Sequence, residues 1–282
     1  MKQLIGIESK WQLAVDAMRG LVADQAGKIR FGLSLFPDTE AEKKDITPGC
    51  EQGDDILVPI GDGTEGTIDQ LLHDSLGQGH PLNPEAGPCS TPIDAAVWQA
   101  ATKGGLQDPD RRSFLMLVSD GKQAKCQEHG ADAGTLQTIQ LLHDDKDVPT
   151  FVVAFAKPGS GSLDEAMLTA FAEAGGVPNT DPSAATPYYH AQDGVGLQDI
   201  FACIAQKAVG CSFPLQSVPP DPGELYVFFD DQTGVPNDPV DGWDYDAATN
   251  TVTFHGGACG ALQTCQVTDV DIVFGCNEPV PN

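Results

Sequence analysis

Basic side chains are scarce in this sequence: 15 lysines and arginines stand against 41 aspartates and glutamates in 282 residues, a formal net charge of −26. A surface of that sign repels a phosphate backbone, which excludes nucleic acid as a partner. Long apolar runs are missing as well, since no stretch approaches the roughly 18 residues that a membrane span requires. No transmembrane segment is therefore expected. The opening MKQLIGIESK also lacks the apolar centre and small-residue cleavage site of an export signal. Although there are eight cysteines and six histidines, the chain contains no C-x-x-C pair, no H-E-x-x-H or other zinc spacing, and no G-x-S-x-G. No motif places a nucleophile, a general base or a zinc ion, so catalysis is not expected.

What is present reads as a folded, oxidised protein. Hydrophobic residues make up 40% and charged residues 20% of the chain, a globular balance rather than the profile of a disordered segment. The cysteines stand at positions 50, 89, 126, 203, 211, 259, 265 and 276. An even number without metal-ligand spacing, in an acidic chain rich in Gly and Pro, points to disulfides and an extracytoplasmic location.

Periodicity divides the chain into two parts. Trp11, Ala14, Val15, Met18, Leu21 and Val22 fall at helical spacing between Ser9, a suitable N-cap, and Gly27. Strands are predicted at KIRFGLSLF and over 56–60, then helices over 67–76 and 92–102, the second opening with Ser90, Thr91 and Pro92 as cap and first turn. The apolar run 114–118 is a strand ending in Ser119, Asp120 and Gly121. Beyond it come helix 135–143, strand 150–156, helix 163–174, strand 188–190 and helix 197–208. Strands alternating with helices imply an α/β fold with a mostly parallel sheet covered on both faces. After Cys211 the proline-rich SVPPDPGE marks a break, and short strands are predicted over 225–229, 243–245, 251–254 and 270–274. DAATN, over 246–250, forms a hairpin connection. The domains are thus residues 1–210 and a small, disulfide-clipped, all-β module over 211–282.

The G-x-G-x-x-G match at Gly61, Gly63 and Gly66 places Asp62 and Glu65 where a pyrophosphate would lie, so a connecting loop is the better reading. Asp238, Asp241, Asp244 and Asp246 miss the calcium-loop pattern and suit turns. One constellation remains. Thr91 ahead of a helix and Asp120 at a strand end both fall at the carboxyl-end rim of a parallel sheet, where open α/β sheets bind ligands. A hydroxyl with a carboxylate suits a hard cation, Mg2+ or Ca2+. Either residue could equally be a cap or a turn residue.

The order of elements, with KWQLAVDAMRGLV, CSTPIDAAV and LVSDG at these separations and AMLTAFAEAGG, YYHAQD and LQDIFACIA following, resembles the von Willebrand factor type A (vWA) domain over about residues 1–210. The tail, with GWDYDAATNTVTFHG and DVDIVFGC, looks like the C-terminal module of exported bacterial vWA proteins of the myxobacterial kind. The resemblance implies a doubly wound sheet and a metal-ion-dependent adhesion site (MIDAS) using Thr91 and Asp120. It also implies a protein ligand whose acidic side chain completes the metal's coordination. The family's opening strand with its D-x-S-x-S motif has no counterpart here. The expectation is that this strand, its three metal ligands and an export signal lie upstream of Met1, leaving a truncated module of weak or absent metal affinity and poor folding. Alternatives are a metal-independent structural or surface protein and, behind it, a metal-assisted hydrolase.

Eight cysteines allow about 105 pairings. Loop positions favour Cys50 with Cys89, Cys259 with Cys265, and Cys211 with Cys276, which leaves Cys126 and Cys203 over.

Overall fold

The computed structural model describes residues 1, 3–37, 56–80, 82–83, 91–123, 129–157, 161–181, 183–230, 233–265, 267 and 269–274. They form two compact units, Met1–Phe201 and Ala202–Asn282.

The first unit opens with a short antiparallel pair, β1 (Leu4–Ile5) and β2 (Glu8–Ser9), leading into helix α1 (Lys10–Asp24). Ser9 caps this helix as expected: its Oγ accepts the Gln12 N–H at 3.1 Å. The buried stripe of α1 includes Trp11, Val15 and Val22. These side chains share a core with Val58 of β4 (Val58–Gly61) and with Ile68 and Leu72 of α2 (Glu65–Asp74). β4 pairs antiparallel with β3 (Phe31–Leu33).

A second core gathers around a parallel sheet. β5 (Leu115–Ser119), β6 (Thr150–Phe155) and β7 (Tyr189–Ala191) pair in that order, all parallel. Every residue of β6 is buried, as its unbroken apolar sequence requires of a strand covered on both faces. Ile93 and Val97 of α3 (Ile93–Lys103), Ile139 of α4 (Ala131–Lys146), and Met167, Leu168 and Phe171 of α5 (Glu165–Ala174) pack with Leu117, Val152 and Ala154 of the strands. The chain is therefore of mixed α/β class. Among the described residues the β3–β4 ribbon and the parallel sheet share no hydrogen-bonded strand pair. At the return from α5 to the sheet, Gly176 has φ +75° and lies under the His143 ring, where a Cβ would sit 2.1 Å from Nε2.

The last helix of this series, α6 (Gly194–Val209), spans the division between the units, so its second half belongs with the C-terminal unit. That unit holds two three-stranded antiparallel sheets. One orders β11 (Trp243–Asp246), β12 (Thr251–Phe254) and β8 (Ser212–Pro214). The other orders β10 (Thr233–Val235), β9 (Leu225–Phe229) and β13 (Val270–Phe274). The β11–β12 register pairs Asp246 with Thr251 and so leaves 247–250 as the hairpin turn, one residue shorter than the predicted 246–250, with Asn250 at φ 53°. Leu225, Val227, Trp243, Val252 and Phe254 form its centre.

Three expectations are corrected. The tail is not all-β: GGACGALQ forms helix α7 (Gly256–Gln263), fixed by burial of Leu262 and by a disulfide from Cys259. Among the described residues the disulfides are Cys203–Cys265 and Cys211–Cys259, so Cys259 does not pair with Cys265 nor Cys211 with Cys276. With Cys259 inside α7 and Cys265 beyond its end, the two thiols face different partners, and Cys203 is not left over. Finally, the N-cap position of α3 is held by Pro92, expected in the first turn, with no side-chain cap bond; Ser90 lies outside the described residues. Cys50, Cys89, Cys126 and Cys276 also lie outside them.

Candidate functional site

The carboxyl end of β5 brings Asp120 to the rim of the parallel sheet. Ser119, buried at the strand end, closes the turn: its Oγ accepts the Gly121 N–H at 3.4 Å and lies 3.3 Å from the Gly121 carbonyl, to which it donates. The loop ahead of α3 approaches the same turn. Thr91 Oγ1 lies 3.7 Å from the position a Cβ would take on Gly121. Thr91 and the Asp120–Gly121 turn, more than twenty residues apart in sequence, are thus brought together.

A third residue completes the arrangement. Lys10, the first residue of α1, is 1% exposed, and its Nζ lies 3.4 Å from Asp120 Oδ2. The amino group of Met1 contacts the same oxygen. A buried ammonium loses most of its hydration and needs a carboxylate in compensation. Asp120, itself half-buried, provides it. Sequence reasoning missed Lys10, although a signal exists. Lys10, Ala14 and Ala17 are spaced i, i+4, i+7, and a lysine at the head of an apolar stripe must find an acid.

Asp94, the second residue of α3, fastens the neighbouring loop. It is 1% exposed. Its Oδ1 accepts from Ala95 N–H and from Gln123 Nε2, both at 2.8 Å, and its Oδ2 accepts the His129 and Ala131 N–H groups, each at 3.2 Å. One carboxylate therefore ties the start of α3 to the turn after β5 and to the start of α4. Beside it the His129 ring stacks on Trp98, with centroids 4.2 Å apart. On the same rim His190 Nε2 lies 2.8 Å from the Ala156 carbonyl. Behind it, burial lifts the Tyr189 hydroxyl to a pKa of about 12.

The other sequence motifs resolve into structural roles. In GDGTEG, Gly61 ends β4 and the Asp62 carboxylate is held by Arg30, with Nη2 to Oδ2 at 2.7 Å. The aspartates around Trp243 serve turns and contacts of the C-terminal unit: Asp238 accepts from Val240 N–H, Asp246 from Ala248 N–H, Asp241 from Gly257 N–H, and Asp244 faces His255.

Thr91 and Asp120 do not fit a divalent cation as they stand. The carboxylate that would ligate it already carries the Lys10 ammonium on one oxygen, and a hard cation demands six or more oxygen ligands. Among the described residues no group of three or more His, Cys, Asp or Glu side chains is placed to hold a metal ion. No described helix is long and apolar enough to cross a membrane. Comparisons with protein-family models, curated proteins and solved structures return no match to this chain.

Proposed function

We propose that this chain is an extracytoplasmic protein-binding module of the vWA type, with a doubly wound α/β domain, that engages a protein ligand at the rim formed by Thr91, Asp120 and Gly121. The observation that carries the reading is the approach of Thr91 Oγ1 to Gly121 at the carboxyl end of a parallel strand, where α/β sheets offer their ligand crevice. The order of helices and strands supports the same reading, as do two disulfides typical of oxidising compartments. In this reading the module binds rather than catalyses: the Asp120 carboxylate, with a buried cation on it, is not free to act as a base.

A metal-independent surface protein is the second reading, and the Lys10–Asp120 pair favours it over metal-bridged adhesion. Site-directed photo-crosslinking separates a binding rim from a passive one. A benzophenone amino acid replaces exposed Lys122 beside the rim or, as control, exposed Glu173 near the amino end of β6, and the full chain is incubated with extracellular protein of the producing cells. A discrete adduct from position 122, absent from position 173 and competed by the unmodified chain, is expected. Equal adducts from both positions, or none, would overturn the proposal.

A further inference from the structure

We infer that Lys10 is the resident cation of the rim: its ammonium takes the place that a divalent metal would hold on Asp120, and its presence keeps such metals out. The inference rests on the chemistry of these two side chains and not on whether a protein docks at the rim. Asp120 is the acid at the strand end, Thr91 supplies a hydroxyl beside its turn, and both are of the hard-oxygen type that Mg2+ and Ca2+ choose. What separates this rim from a cation site is the charge already there. Lys10 is almost fully buried, is anchored at the first turn of α1, and is 3.4 Å from Asp120 Oδ2. At 1% exposure its side chain is enclosed by protein, which holds the ammonium at the rim. A doubly charged ion on Asp120 would face the ammonium at close range in a region of low dielectric, and the two cations exclude each other.

The exclusion has a defined inverse. Removing the charge of Lys10 while keeping its length leaves the Asp120 carboxylate, with the Thr91 hydroxyl beside its turn, without a cation from α1. Such a site draws a hydrated divalent ion. Because the amino group of Met1 touches the same oxygen, the experiment uses the full chain both as it stands and with a short Gly-Ser extension that moves that amino group away.

Calorimetry with MgCl2, CaCl2 and MnCl2, together with terbium luminescence, is carried out on the parent, K10M, K10R and K10M/D120N. The parent and K10R are expected to show no saturable binding that depends on Asp120. Extended K10M gains affinity by about tenfold or more, and K10M/D120N loses that gain. Saturable binding by the parent that D120N abolishes would overturn the inference, and so would a folded, extended K10M with no gain.

If K10M does not fold, the parent decides alone. An ammonium-selective 15N NMR spectrum should show one lysine Nζ protected from exchange, shifted by D120N and unmoved by magnesium. The absence of a protected ammonium signal, or its displacement by magnesium, contradicts the assignment.

Discussion

Asp94 and Gln123 hold each other twice: Gln123 Nε2 donates to Asp94 Oδ1 at 2.8 Å, and Gln123 Oε1 accepts the Asp94 N–H at 3.2 Å. With the His129 and Ala131 N–H groups on its second oxygen, this carboxylate is the knot of the rim. Removing it strands the buried Ala95 N–H and the partly buried His129 N–H, Ala131 N–H and Gln123 Nε2 donors, at about 1–3 kcal/mol for each left without a partner. D94A is therefore expected to lower stability by roughly 3 kcal/mol or more, measured by urea unfolding of the full chain. A loss below about 1 kcal/mol would show that the loop finds other acceptors.

Gly176 and His143 make a steric prediction with an internal control. At φ +75°, any side chain at position 176 meets a left-handed backbone cost of roughly 1–2 kcal/mol. The overlap with the imidazole adds overpacking of about 1–3 kcal/mol. G176A should lose both contributions, and G176A/H143A should recover the second. Additive effects in the double-mutant cycle would mean that the ring moves aside without cost.

Two crosslinks, Cys203–Cys265 and Cys211–Cys259, close loops with sequence separations of 62 and 48 residues in the C-terminal unit. In the chain-entropy account each such loop stabilises by roughly 4 kcal/mol. Reduction is expected to unfold this unit at lower denaturant. Non-reducing peptide mapping should recover these two linked pairs, whereas a peptide joining Cys259 to Cys265 would contradict the fold of the tail.

Arg19 on α1 grips Asp69 on α2 with Nε to Oδ1 at 2.6 Å and Nη2 to Oδ2 at 3.3 Å. The hydrogen bonds from Arg19 hold the Asp69 carboxyl below its ordinary range, and the same pair raises the guanidinium. A depressed carboxyl pKa stabilises the fold above the unfolded carboxyl value, and the gain is lost as pH falls through the lowered folded value. The Tm difference between the parent and D69N should be largest at neutral pH and low salt and vanish in strong acid. Its size corresponds to roughly 0.2–1 kcal/mol, because the pair is solvent-exposed. A difference that grows on acidification would reverse the sign of this account.

Much of the element order was legible because the signals were local. Ser9 before an apolar stripe, the unbroken β6 run, and DAATN between alternating segments each specify their own conformation, and α1, β6 and the β11–β12 turn match the reading closely. The juxtaposition of Thr91 with the Asp120 turn was legible as well, since strand and helix ends of a parallel sheet converge on one rim. The rest depended on contacts distant in sequence. Helix α7 has a glycine-rich sequence of poor helix propensity and is held by a bridge to Cys211. The role of Asp94 depends on donors from the turns after β5 and before α4, which no local signal in the sequence announces. Lys10 was hidden for the same reason: its partner lies 110 residues further along the chain.

The most direct measurement for a protein-binding rim that carries its own cation is the yield of the position-122 crosslink with EDTA and with excess magnesium. Equal yields are expected, because the Lys10 ammonium already balances Asp120. A crosslink that forms only with magnesium and disappears with EDTA would contradict it.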